Sequence, residues 1–64
     1  MAKQTNTFYD VVFSPDDDGW YCSAYNRRGE DLYETGVCDT RKEAEKLLMV
    51  KYPEATLIKV IDNI

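Results

Sequence analysis

The chain has 64 residues and a mass of 7.4 kDa, enough for one small domain with a limited hydrophobic core. Eight basic and twelve acidic residues give a net charge of −4, which disfavours binding to a phosphate backbone. The absence of histidine removes the commonest general base and zinc ligand, and with it most hydrolase and structural-zinc mechanisms. We therefore predict a protein that is not an enzyme and holds neither metal nor cofactor.

The N-terminus is polar, and no stretch approaches the roughly 20 apolar residues of a membrane helix. A cytoplasmic protein is therefore expected, in the host cytoplasm if a phage encodes it. Cys22 and Cys38 are too few for a disulfide framework, so we predict reduced thiols. A bridge would be possible only if the second and third strands paired with these two residues opposite each other.

Residues 1–6 are polar and aperiodic, which predicts a flexible N-terminal arm, and residues 7–64 form a single domain. Aromatic and β-branched residues alternate in the first strand, where Tyr9, Val11 and Phe13 share one face. Asp-Gly and Arg-Gly steps mark two hairpin connections. The first three strands are predicted at Thr7–Phe13, Trp20–Tyr25 and Leu32–Val37.

A helix is predicted to begin at Asp39-Thr40, because Thr40 and Glu43 have the spacing of a capping box, and to end before Pro53. A fourth strand follows at Thr56–Ile61, apolar on both faces apart from Lys59, as in a strand that is covered on both sides or lies at an interface. The inward face of the helix is predicted to hold Ala44, Leu47, Leu48, Lys51 and Tyr52, and the outward face Lys42, Glu45, Lys46 and Met49.

This order predicts an α+β fold of the type β-β-β-α-β, with an antiparallel-type sheet and one helix packed on one face. The other sheet face should then be uncovered. Phe8 and Val12 have the opposite parity to the predicted core residues of the first strand. An uncovered face with apolar side chains indicates a binding or dimer surface.

The acidic turn at Asp16-Asp17-Asp18-Gly19 resembles a calcium loop only superficially, since Tyr25 stands where an EF-hand has its bidentate glutamate. We interpret it as a solvated turn or as a contact for a basic partner. Asp10, midway along the first strand, is interpreted as an outward-facing strand residue, and it is the one carboxylate that we would test for acid-base or metal chemistry.

Arg27 and Arg28 form a basic pair that could clasp a phosphate, but three carboxylates follow closely in the sequence. A base-stacking platform would normally need a positive groove, which this acidic chain does not favour. We therefore interpret the aromatics that such a platform would use first as core residues and second as part of a protein interface. They are Trp20, Tyr21, Tyr25 and Tyr33.

Three motifs together resemble the HicB antitoxin family: an aromatic-valine strand, an acidic turn before an aromatic strand, and a step into the helix. They stand here as Tyr9 to Phe13, Asp16 to Tyr21 and Gly36 to Ala44. The resemblance implies a partial ribonuclease-H-like fold without catalytic carboxylates, acting as an oligomer that masks a small basic ribonuclease toxin. A free-standing acidic domain of this layout also looks like the small inhibitors that phages make against host enzymes.

We therefore predict an acidic interaction module that binds and blocks a basic, nucleic-acid-acting protein, such as a nuclease or another nucleic-acid enzyme. The alternatives are a small RNA- or DNA-binding domain that uses Arg27 and Arg28 with the sheet aromatics, and a self-associating structural protein, for instance a homodimer. The predicted contacts with the basic partner are Asp16, Asp17, Asp18, Glu30, Asp31 and Glu34, with Trp20 and Tyr33 as aromatic anchors.

Overall fold

A computed structural model describes residues 6–62 of the chain. The predicted arm, residues 1–6, lies outside this range apart from Asn6, which is exposed. The described range has one helix, and it is not long and apolar enough to cross a membrane. The elements are β1 (Thr7–Ser14), β2 (Gly19–Asn26), β3 (Asp31–Glu34), α1 (Arg41–Lys51) and β4 (Thr56–Ile61).

The strands form one sheet in the order β3-β2-β1-β4, so the predicted α+β fold and its element order are confirmed. β2 pairs antiparallel with β1 and with β3. β4 pairs parallel with β1, which makes the sheet mixed. The connection through α1 accounts for this difference, because a helical crossover returns the chain to the same end of the sheet before the next strand begins.

The core lies between α1 and the sheet face that it covers, here called the helix face. Tyr9 and Val11 of β1 lie opposite Ala24 and Cys22 of β2 and are buried on this face, as the alternation in β1 predicts. α1 contributes Ala44 and Leu48, both fully buried. The core holds few side chains, so each contact to it weighs heavily in the stability of so short a chain.

The start of α1 is the predicted one. The Thr40 hydroxyl accepts the Glu43 amide at 3.2 Å and donates to the Glu43 carboxylate at 3.2 Å. The helix is rotated relative to the prediction, however. Leu47 is 46% exposed, whereas Met49 packs against the core.

The third strand is shorter than predicted and ends at Glu34 instead of Val37. Beyond it, the buried Thr35 hydroxyl accepts the Cys22 amide at 2.9 Å, which replaces a regular ladder bond with a side-chain bond. Cys38 rejoins β2 through a bridge to Trp20, with backbone bonds of 2.7 and 2.8 Å. Cys22 and Cys38 therefore do not face each other, and both are free thiols.

Candidate interaction surface

The sheet face turned away from α1, here called the open face, carries three rows of side chains across the strands. A polar row is flanked by two rows that contain apolar and aromatic side chains. The register places Lys59, Asp10, Ser23 and Glu34 in the polar row, Ile61, Val12 and Tyr21 on one side of it, and Thr56, Phe8, Tyr25 and Asp31 on the other.

Two aromatic residues of the open face, Phe8 and Tyr25, contact each other, and Tyr25 is also hydrogen-bonded within the sheet. The rings of Phe8 and Tyr25 lie 6.2 Å apart in a tilted arrangement. The Tyr25 hydroxyl donates to Asp10 Oδ1 at 3.1 Å. Burial and this bond to a carboxylate both raise the pKa of Tyr25. Asp10, which the sequence marked for a test of acid-base chemistry, thus fixes the position of the Tyr25 ring.

The open face is electronegative. Asp10, Asp31 and Glu34 contribute carboxylates, and Lys59 is the one basic side chain among the positions in the three rows. Phe8, Val12, Tyr21 and Tyr25 are only half-buried here, because no other element of the described chain packs on them. Half-buried aromatics among carboxylates form a surface that suits a partner with arginine and lysine side chains.

The predicted acidic residues do not form one patch. The turn that holds Asp16, Asp17 and Asp18 lies at one end of the sheet, and Glu30 lies in the connection at the other end. The eight residues of β2 separate these ends by about 26 Å. Of the six predicted acidic contacts, the structure brings only Asp31 and Glu34 into the rows of the open face.

The acidic turn is built from local contacts. The Asp17 amide donates to the Ser14 carbonyl at 3.3 Å, and the Ser14 hydroxyl donates to the Asp17 carboxylate at 3.0 Å. Asp18 has a φ of 50°, in the left-handed region that aspartate tolerates better than most residues. Asp16, Asp17 and Asp18 are all exposed, in accordance with the interpretation of a solvated turn.

The predicted aromatic anchors lie on the helix face instead of the open face. Trp20 packs against the core, and the Arg41 guanidinium stands 6.0 Å from its ring. Tyr33 lies beside Ala24 in the register, with the Tyr52 ring 6.2 Å away and the Lys51 ammonium 5.7 Å away. Side chains of α1 thus occupy one side of both rings.

The aromatics that the open face does present are Phe8, Tyr21 and Tyr25. Sequence reasoning grouped Tyr21 and Tyr25 with Trp20 and interpreted them chiefly as core residues, which is wrong for the two half-buried tyrosines of the open face. The signal that separates them is the position of small residues in β2. Cys22 and Ala24 leave room for a helix above them, so residues of the other parity must face away.

Arg27 and Arg28 lie in the turn between β2 and β3, which Asn26 fixes. The Asn26 side-chain oxygen accepts the amides of Arg28 and Glu30, each at 3.0 Å, and its side-chain amide donates to the Glu30 carboxylate at 2.8 Å. This holds a carboxylate in the same turn as the two guanidinium groups. The turn therefore presents mixed charge, and not an isolated basic patch.

The described residues contain no cluster of three side chains of the kind that holds a metal ion. Burial of Cys22 raises the pKa of its thiol to about 12, with a smaller contribution from Glu45, so the thiolate form that attacks electrophiles is suppressed. An open pocket of about 490 Å³ adjoins the start of α1, where Trp20, Thr40 and Arg41 are among its lining residues. Its other lining residues are Asp39, Lys42 and Glu45.

No protein-family model, curated protein or solved structure matched this chain. The resemblance to HicB antitoxins therefore stays a prediction.

Proposed function

We propose that the protein is a non-enzymatic interaction module whose open face binds and blocks a basic, nucleic-acid-acting protein in the cytoplasm, in the manner of an antitoxin or a phage inhibitor. One observation carries the proposal: half-buried aromatics and carboxylates share a sheet face on which no described element packs. A folded chain that buries these aromatics only in part leaves them available to a partner.

The chemistry of the open face favours a basic protein over a nucleic acid. Tyr21, Tyr25 and Phe8 supply ring area with few rotatable bonds, which is typical of residues that dominate binding energy. Asp10 and Glu34 stand in the polar row between them and would pair with arginine or lysine. Phosphates would meet the same carboxylates as like charges.

Binding of the open face to such a partner would also block the partner's activity. A protein that acts on nucleic acid needs its basic surface for the phosphate backbone. The carboxylates of the open face would lie over that surface and repel the nucleic acid from it. The inhibition should therefore be competitive with nucleic acid, and the rate of association should depend on salt.

The first experiment is capture with tagged protein from its native cytoplasm, with and without nuclease treatment, followed by mass spectrometry. We expect a basic partner that survives the nuclease. Recovery of nuclease-sensitive material alone would contradict the proposal and favour the alternative that uses Arg27 and Arg28. That alternative predicts oligonucleotide binding that weakens steeply with salt, and no binding at low salt would exclude it.

The second experiment compares two charge reversals of equal size against the captured partner. Asp10→Lys with Glu34→Lys changes the open face, and Asp16→Lys with Asp17→Lys changes the turn at the end of the sheet. We expect the first pair to weaken binding by about 100-fold or more and to flatten its salt dependence, and the second pair to have a much smaller effect. A larger effect of the turn would place the contact there instead, and equal effects would mean that binding depends on the total charge and not on the open face.

A further inference from the structure

α1 covers only part of the helix face. Four strands about 4.8 Å apart span roughly 14 Å between the axes of the outer strands, and a helix with its side chains is about 10 Å wide. α1 packs chiefly on β2 and less on β1. The helix-face side chains of the outer strand β4 therefore lack a helix above them.

The exposure of the β4 side chains agrees with the lack of a helix above this strand. Leu57 lies beside Tyr9 in the register and Val60 beside Val11, so both project from the helix face. Tyr9 and Val11 are buried, whereas Leu57 is 39% exposed and Val60 is 37% exposed. This strip of the helix face, Leu57 and Val60, is here called the β4 strip.

α1 carries a matching apolar surface on its outer side. Val50 is 81% exposed and Leu47 is 46% exposed, although a helix that packs on one sheet needs only one apolar face. The two residues are three positions apart and therefore lie on one side of the helix. The same chain thus has an apolar helix side without a sheet and an apolar sheet strip without a helix.

We infer that two copies of this chain form a two-fold dimer in which the outer side of each α1 packs on the β4 strip of the other copy. A two-fold axis parallel to the strands would place both helices side by side in one layer between the two sheets. Each helix would then contact its own β2 below and the partner's β4 above. Such an interface is self-complementary, as two-fold symmetry requires.

The distribution of charge supports a second copy as the occupant. α1 holds four of the eight basic residues and two of the twelve acidic ones, so it is positive while the rest of the chain is strongly negative. Lys42 and Lys46 are exposed on the helix, and the rest of the chain carries four basic and ten acidic residues. A basic helix would therefore dock on an acidic protomer.

Strand-to-strand pairing through the edge of β4 is less favourable. The register between β1 and β4 shifts after Tyr9, which leaves Ile58 as an extra residue in β4, and Lys59 follows it. An irregular edge strand with a central lysine is a typical protection against edge pairing. The β4 strip is therefore expected to be covered from above by a helix.

Sedimentation equilibrium from micromolar to near-millimolar concentration tests the inference. We expect a dimer in the wild type and a dimer at least about 100-fold weaker in Val50→Glu, whose fold should persist because the side chain is exposed. Leu32→Glu is the matched control: Leu32 is 41% exposed on β3, outside the proposed interface, and its substitution should leave the dimer intact. A monomeric wild type, or a dimer that Leu32→Glu breaks and Val50→Glu spares, would overturn the inference.

A mixing experiment guards against indirect effects. Val50→Lys and Leu57→Glu should each weaken the homodimer, whereas an equimolar mixture should form a heterodimer with one native contact and one Lys-Glu contact. Circular dichroism of each variant alone checks that it is folded. If both variants are folded and the mixture remains monomeric, residues 50 and 57 do not meet across the interface.

Discussion

Substitution of Gly19 by alanine should destabilise the domain at the junction between β2 and the segment that leads into α1. A Cβ on Gly19 would lie 2.5 Å from Val37 Cγ1 and 2.7 Å from the Cys38 carbonyl oxygen, closer than nonbonded atoms approach. The Cys38 carbonyl accepts the Trp20 amide at 2.8 Å, so it can retreat only by stretching that bond. Overpacking of this kind costs about 1–3 kcal/mol.

For a domain of this size, 1 kcal/mol corresponds to a shift of roughly 4–8 °C in Tm. Gly19→Ala should therefore lower Tm by about 4–24 °C and lower the urea midpoint in proportion. Gly36→Ala is the matched control, because a Cβ at Gly36 would meet nothing within 4 Å. It should be neutral or slightly stabilising. If Gly19→Ala unfolds at the same temperature as Gly36→Ala, Val37 and Cys38 do not pack on the start of β2.

Three further outcomes test the helix cap and the buried ionisable groups. Thr40→Ala removes the acceptor of the Glu43 amide and should cost about 1 kcal/mol in urea unfolding, whereas Thr40→Ser should retain most of the stability. Burial, with help from Glu45, raises the pKa of Cys22 from 9.0 and of Tyr9 from 10.0, each to about 12. The unfolded chain therefore loses these protons first, so stability should be complete below pH 9 and fall as the pH rises towards 12. With Cys22→Ala the decline should begin nearer pH 10, and an unchanged profile in urea unfolding would contradict the assignment. In the native protein a thiol reagent should modify the half-buried Cys38 and reach the buried Cys22 only after unfolding, and equal rates by mass spectrometry would refute this.

The fold was largely predictable because its strongest signals are local. Tyr9 and Val11 alternate with polar or half-buried residues, and only one parity can face a helix. Thr40 followed three residues later by Glu43 marks the start of α1 by a mechanism that needs no tertiary contact. The parallel pairing of β4 with β1 depends on where the chain returns after α1, which no local pattern of residues 56–61 encodes.

The rotation of α1 was not predictable because residues 47–50 are apolar without a break, as Leu-Leu-Met-Val. Such a run gives no single preferred face, and the contacts with β1 and β2 select Leu48 and Met49 over Leu47. A similar ambiguity in β2 is the reason that the aromatic anchors of the candidate site were predicted on the wrong residues. β2 has aromatics of both parities, and only the small residues Cys22 and Ala24, which share the parity of Trp20, mark its helix face.

The surface proposed for the dimer and the open face proposed for the partner differ in chemistry. This difference predicts that the dimer is permanent and that partner binding is reversible. The β4 strip and Val50 are aliphatic, as in interfaces between permanently associated subunits, whereas the open face mixes rings with carboxylates, as in interfaces that form and dissociate. Because the surfaces lie on opposite faces of one sheet, a dimer through α1 leaves both open faces free. Val50→Glu should therefore abolish the dimer yet retain binding of each protomer to the captured partner, and Asp10→Lys with Glu34→Lys should do the reverse. Loss of both properties in a folded Val50→Glu variant would mean that the open face binds its partner only through two copies at once, with avidity that a monomer lacks.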